Sequence, residues 1–341
     1  MKTYVSFKNL VYTLINRIID RIFKSEASNW SMNDFGLLAK NQIITRQSMC
    51  NHRIQGVLDV CDCFEITTHN FPILVSHVYS LREPIINTRL GIAFLDGDTS
   101  YRPIYSSSPF DVYEITRKIH VPSRKVQKID GDWATLSSRS YAHWLIEDLP
   151  RLLKTLEVNS NVGILISPKS PHYVNDAISI LQAATVMRGE YFQPERLWFC
   201  SPTNRLLIPN EADIDLIRKK FTKSIELPEY NQEKIYISRR ASSRSPANES
   251  EVESYFEGLG FKIVMLERES LRRQIELFSS ANLVVGPHGA GLTNMVWMNN
   301  GKVIELFGQD RFENTFFLDL ALACKVEFER YPTHEFMNIL K

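Results

Sequence analysis

Through the second half of the chain the apolar positions fall into short unbroken runs, separated by stretches in which they recur at helical spacing. Residues 234–238, 261–266 and 302–307 are such runs, and Leu283, Val284 and Val285 form another. Runs this short and mostly apolar suit strands buried on both faces of a parallel sheet. Between them, 250–258 and 269–281 carry the helical period. After 307 the pattern predicts a helix over 314–324 and an extended segment over 325–329. Asn248 with Glu251, or Ser250 with Glu253, has capping-box spacing for the first helix, and Gly258 and Gly260 suit its end. Strands alternating with helices predict a doubly wound parallel sheet, whose ligands bind beyond the carboxyl ends of the strands.

The first half is less regular. Residues 161–167, 196–200 and 205–208 read as strands, 173–184 and Glu211–Thr222 as helices, and Leu227-Pro228-Glu229 as a hinge. A boundary near Glu226 follows. Residues 30–136 hold short β-type runs, such as 73–79 and 92–95, among turn residues. Asp96-Gly97-Asp98 and Asp130-Gly131-Asp132 each follow a strand-like run and read as hairpin turns. In residues 1–25, Val11, Ile15, Ile18, Ile19 and Ile22 share one helical face, and Arg17, Asp20, Arg21 and Lys24 the opposite one. The charges are too closely spaced for a membrane span, which leaves docking on the protein's own N-terminal lobe or lying in a bilayer interface.

Composition narrows the classes. Lys plus Arg number 40 against 39 Asp plus Glu, a net charge of +1, with no basic excess for a nucleic-acid partner. The five cysteines are odd in number and scattered, without the spacing of a disulfide framework or zinc cluster. They read as reduced, hence cytoplasmic, with Cys61 and Cys63 as two thiols on one face of a strand. The 341 residues suffice for two domains, each with its own core.

Chemistry concentrates at two places. Gly286-Pro287-His288-Gly289-Ala290-Gly291 follows a buried strand and precedes an apolar, helix-like segment, 292–298. Small residues there let a ligand approach the backbone, and a helix N-terminus offers N–H groups to a phosphate. The competing reading is a tight turn needing small residues for packing. Arg239, Arg240, His288 and Glu305 all fall at or near the ends of predicted strands, which packing alone does not explain. Upstream, His143 and Glu147 are one helical turn apart on a common face, with Asp148 displaced by about a hundred degrees.

The residues YISRR…NE…VVGPHGAGLTN…VIEL, with YAHWLIEDLPRLL at 141–153, resemble glycosyltransferase family 61. The resemblance covers roughly 141–307. It implies an α/β fold of the GT-B type, two Rossmann-like lobes with a donor cleft between them, here with a β-rich N-terminal region. The segments would be an amphipathic helix at 1–28, an acceptor lobe at 29–226, a nucleotide-sugar-binding lobe at 227–330 and a tail at 331–341. It further implies inverting transfer from a nucleotide sugar, UDP-linked, to a glycan or lipid-linked saccharide acceptor, as in capsule and other surface polysaccharides. The donor is a substrate, and no metal or other cofactor is expected. The Asp-x-Asp triplets have the metal-and-donor pattern of the other major transferase fold, which the hairpin reading opposes.

In that reaction Arg239, Arg240 and Arg244 would contact the diphosphate as guanidinium forks. The backbone of Gly289, Ala290 and Gly291 would add N–H groups. His288 would donate to a phosphate or sugar hydroxyl, or else cap the turn. Asn294 would contact the donor or bond the loop backbone, and Glu305 would accept both ribose hydroxyls. Glu147 would be the catalytic base, oriented by His143 across an interlobe cleft, with Asp148 as reserve. The family usually has Asp or Glu at the position of Glu147. Rival readings are a catalytically silent sugar-nucleotide-binding or scaffold subunit, and a nicotinamide-dependent oxidoreductase, disfavoured because the turn reads G-x-x-G-x-G. The protein would be cytoplasmic, peripheral at the inner face of the membrane if its N-terminal helix is interfacial.

Overall fold

The computed structural model describes residues 58–68, 71–89, 91–95, 102–106, 125–136, 140–183, 185–200, 209–227, 233–242, 248–308 and 316–333. The expected N-terminal helix, Arg244, the first Asp-Gly-Asp triplet, the strand at 205–208 and most of the expected hinge and C-terminal tail lie outside these residues. Their backbone is mixed α/β, with parallel strand pairing in both sheets.

Contacts divide the chain into two compact units. One comprises the described residues of Met1–Ser137, Arg151–Lys169 and Ala184–Leu206, the other those of Ser138–Pro150, Ser170–Ala183 and Leu207–Lys341. The sequence reading drew one contiguous boundary near Glu226, whereas these units are interleaved. The reason lies in side chains that tie 138–150 and 170–183 to helical segments of the C-terminal half: the Tyr141 hydroxyl donates to Asn294, and Asp176 accepts from the Leu271 N–H that heads a helix.

The first unit holds a mixed sheet. Its strands are β1 (Leu58–Thr68), β2 (Phe71–Arg82), β3 (Ile85–Asn87), β4 (Ile92–Leu95), β5 (Arg102–Ser106), β6 (Gln127–Thr135), β7 (Gly163–Ile166), β8 (Val186–Arg188) and β9 (Tyr191–Cys200). The order is β5-β4-β3-β9-β6-β7-β8, with β1 and β2 joined through β9. Strands β6, β7, β8 and β9 pair in parallel, and β1 to β5 add antiparallel pairs, so the β-rich reading of this region stands.

Asp130-Gly131-Asp132 is no hairpin turn. It is a bulge inside β6, where the register against β9 shifts between Ile129 and Asp132. Gly131 takes φ +84°, open to glycine at low cost, and its N–H donates to Glu195. Asp132 accepts from Asn159 at 3.1 Å.

A helix, α1, begins as Tyr141–His143, passes through a π-helical turn at Trp144–Asp148 and continues as Leu149–Val158. The two units divide it after Pro150. Then come α2 (His172–Ile180), α3 (Glu211–Thr222), β10 (Glu233–Ile237), α4 (Glu249–Gly258), β11 (Lys262–Val264), α5 (Leu271–Ser280), β12 (Ala281–Pro287), β13 (Lys302–Phe307), α6 (Phe316–Cys324) and β14 (Glu327–Pro332).

In the second unit β10 to β14 form a fully parallel sheet ordered β11-β10-β12-β13-β14. By chain position this is second, first, third, fourth, fifth. The winding reverses between β10 and β12, the place where ligands of such sheets bind. Tyr236, Val285 and Leu306 face one side and pack with Val252 and Phe256 of α4. On the other side Ile237 meets Leu266 and the small residues Gly286 and Gly291.

Two local readings change. Residues 261–266 give only the short β11 before a 3₁₀ turn at Leu266–Arg268. No capping box forms on α4, whose N-cap Asn248 makes no side-chain bond. Its buried Glu249 and Glu253 turn instead to the end of β10, where unpaired backbone and hydroxyl donors need an acceptor.

Candidate active site

The reversal point brings together the residues that follow β10 and β12. After β10, the Arg239 N–H donates to Glu249 at 2.7 Å, and the same carboxylate oxygen accepts the Tyr236 phenol at 3.3 Å. Burial, and then the Glu249 charge, push that phenol well above its ordinary range, so it stays a donor. Glu253 accepts the Ser238 hydroxyl and pairs with the Arg240 guanidinium. These two glutamates, one turn apart on α4, fix the backbone from which both arginines project.

The Arg239 side chain crosses to the neighbouring strand end. Its Nη2 donates to the His288 carbonyl and occupies the space that a Cβ on Gly289 would fill. Gly286 and Gly291 are small for a different reason, because side chains there would strike Ile237 and Leu266. The packing reading of the glycine-rich turn therefore holds at Gly286 and Gly291, while Gly289 makes room for the Arg239 guanidinium.

The segment beyond the turn is a 3₁₀ helix, Ala290–Trp297, and not the helix-like stretch expected to reach Met298. Asn294 accounts for part of this. Its amide donates to the Gly291 carbonyl at 3.1 Å, a local bond that competes with the α pattern. The same amide donates to Gln274 at 3.0 Å, and its oxygen accepts from Tyr141 at 2.6 Å. Fully buried and bonded three ways, Asn294 braces the loop and does not face a donor. No side chain caps the 3₁₀ helix. The Leu292 N–H is spent on the Gly289 carbonyl, and the N–H groups of Ala290 and Gly291 head the helix.

His288 and Glu305 form a pair. Nδ1 bonds Glu305 Oε1, and Arg330 Nε donates to Oε2 at 2.7 Å. Glu305 is 1% exposed, with both oxygens engaged, so it is not the expected acceptor of two ribose hydroxyls. Burial and two protein donors replace that role with one of holding His288. The His288 N–H also donates to the Leu306 carbonyl at 2.8 Å, and Phe317 stands edge-on to the ring at 5.2 Å.

A second such pair spans the start of the π turn of α1. His143 Nδ1 lies 2.8 Å from Glu147 Oε2, with side chains 24% and 5% exposed. The carboxylate expected as the base is thus the covered member, and the imidazole reaches solvent. Asp148 is buried as well. Tyr141 links this turn to the loop through Asn294, and packs with Trp144 at 5.7 Å and Tyr173 at 5.1 Å. Burial raises its phenol far above the ordinary range and keeps it a donor. His143 and Glu147 were expected on the first lobe, yet they share a compact unit with the loop.

Sequence reasoning missed Tyr141, Gln274, Glu249 and Arg330. Arg330 lies beside Glu305 only through the β13–β14 register, which no spacing reveals. Glu249 and Glu253 did have a signal, an acidic pair spaced for one helical face, but of the two only Glu253 was considered, as a capping partner of Ser250.

A family model described as Glycosyltransferase 61 matches residues 141–304. A search of curated proteins finds no match.

Proposed function

Because the chain belongs to glycosyltransferase family 61, matched over residues 141–304, we propose that it transfers a sugar with inversion from a UDP-linked donor to a hydroxyl of a glycan or lipid-linked saccharide. One observation carries the reading. The Tyr141–Asn294 bond joins the helix bearing His143 and Glu147 to the loop bearing His288 and Gly289, within one compact unit. Base and phosphate-binding elements are thereby coupled.

In this mechanism Arg239 and the N–H groups of Ala290 and Gly291 hold the donor diphosphate and offset the charge that grows on it. The acceptor oxygen bonds to the anomeric carbon as the bond from that carbon to the diphosphate oxygen breaks. The acceptor proton passes to His143 Nε2. Glu147 accepts from Nδ1 and keeps that ring in the receptive tautomer, the reverse of the roles expected from sequence. The exposures of the two side chains support the exchange. Arg240, paired with Glu253, adds cationic field at the edge of the site.

A GT-B arrangement is part of the proposal, supported by the parallel sheet with arginine and histidine at its carboxyl edge. So is metal-independent transfer, since guanidinium and backbone groups meet the charge and Asp132 of the second triplet is bonded to Asn159. The proposed location is the cytoplasmic side of a membrane, supported by the scattered cysteines and the amphipathic spacing of residues 11–22. Among the described residues no helix is long and apolar enough to cross a membrane.

The test is nucleotide release from a panel of sugar nucleotides, without and with saccharide acceptors, in EDTA. Release from one UDP-sugar that rises with acceptor is expected. Binding of a donor with no release under any condition would instead make the protein a silent sugar-nucleotide-binding subunit.

A further inference from the structure

We propose that Arg330 is a positioning residue of this site, fixing His288 through Glu305 so that Nε2 accepts a hydroxyl of the bound donor. The inference rests on the glycosyltransferase reading, and brings in Glu305 and Arg330, which lie beyond the segment that the family model matches. A carboxylate only accepts, so Nδ1 of a ring bonded to Glu305 carries a proton. In the neutral imidazole Nε2 then holds a bare lone pair, and that nitrogen suits a hydroxyl better than a phosphate oxygen. Charge balance at the buried carboxylate is met without the ring. Glu305 is buried at the sheet's edge and needs a compensating cation, and Arg330 provides it at 2.7 Å. Arg239, bonded to the carbonyl of His288 itself, places a second cation beside the ring.

The surroundings hold this arrangement in place. The Arg330 guanidinium lies 4.4 Å over the Phe307 ring, and Phe317 packs edge-on to the imidazole. Of the three charged or polar side chains, Glu305 is the covered one at 1%, while His288 and Arg330 are 14% and 18% exposed. His288 and Arg330 are therefore both open to solvent, and of the two it is His288 that lies on the glycine-rich turn. It takes over the hydroxyl contact that Glu305, with both oxygens engaged, does not make.

The direct test is nitrogen-15 NMR of the imidazole rings in histidine-labelled protein, with the His288 signal identified by its loss in His288→Ala. In the wild type the neutral ring should carry its proton on Nδ1. In Arg330→Gln the single-tautomer pattern should break down, and in Arg330→Lys, which keeps the charge, it should persist. A wild-type ring protonated on Nε2, or fully charged near neutral pH, overturns the proposal. So does an unchanged tautomer in folded Arg330→Gln. Should that variant not fold, the wild-type spectrum still decides.

Calorimetry then identifies the hydroxyl. If His288→Ala weakens UDP and UDP-sugar alike by about tenfold, the worth of one net hydrogen bond, the hydroxyl is on the ribose. Weakening confined to UDP-sugar assigns it to the sugar, and no weakening of either contradicts the contact. The tautomer does not depend on turnover, so its failure is distinct from failure of the transferase reading.

Discussion

Gly289 lacks a side chain because Arg239 stands where one would be. The consequence is testable without touching the arginine. Gly289→Ala should push the guanidinium off the His288 carbonyl and weaken nucleoside diphosphate binding, checked by fluorescence or calorimetric titration. At the helix, His143→Gln should lower turnover by about 10²–10⁴-fold with donor affinity kept, the usual worth of general base catalysis. Glu147→Gln should cost less, because the amide can still hold the ring through its oxygen. Steady-state kinetics on both variants check the order, and a larger loss in Glu147→Gln would restore Glu147 as the base. The placement of Arg239, His288 and Glu305 at or near strand ends was legible from sequence. Their partners were not legible, since Arg239 reaches a loop some fifty residues on and Arg330 depends on strand register.

Among elements, the strongly periodic helices were the most legible, and α3 has the predicted bounds Glu211–Thr222. Where side chains compete with the backbone, the sequence pattern misled. Asn294 pulls the segment after the loop into a 3₁₀ helix, and a glycine with positive φ absorbs the second Asp-Gly-Asp triplet into a strand bulge. The π turn was unreadable because its residues have the same apolar spacing as an α-helix. π turns cluster at functional sites, and this one carries Glu147 with His143 at its N-cap. Tyr141→Phe tests how the two elements are joined. It leaves the buried Asn294 oxygen without its phenol donor and should cost about 1–3 kcal/mol of stability, seen in denaturant unfolding. Turnover should fall as His143 loses its anchorage to the loop.

At the scale of the molecule, the alternation of strand and helix was enough to foresee the doubly wound sheet of the second unit, and it could not foresee that 138–150 and 170–183 join that unit. Those segments are recruited by single polar contacts, Tyr141 to Asn294 and Asp176 to Leu271, which carry no periodic signal. The interior of this unit also sets its response to alkali. Burial pushes the Cys324 thiol from 9.0 up to about 12. The unfolded thiol ionises above 9.0 while the folded one resists, so the stability held by its neutral form is intact below 9.0 and is lost as pH rises towards 12. Tyr141 and Tyr236, raised by burial, act in the same direction. Cys324→Ala should flatten the decline of unfolding free energy across that range in urea titrations.

The claim on which the rest depends is that a nucleoside diphosphate binds where β10 and β12 diverge, with Arg239 as its cationic partner. Isothermal titration of UDP into the wild type and Arg239→Ala tests it. The account predicts measurable binding to the wild type and a loss of roughly 1.5–3 kcal/mol in the variant, the range for hydrogen bonds to charged groups, or about 10- to 150-fold in affinity. Equal affinity in the two proteins would contradict it.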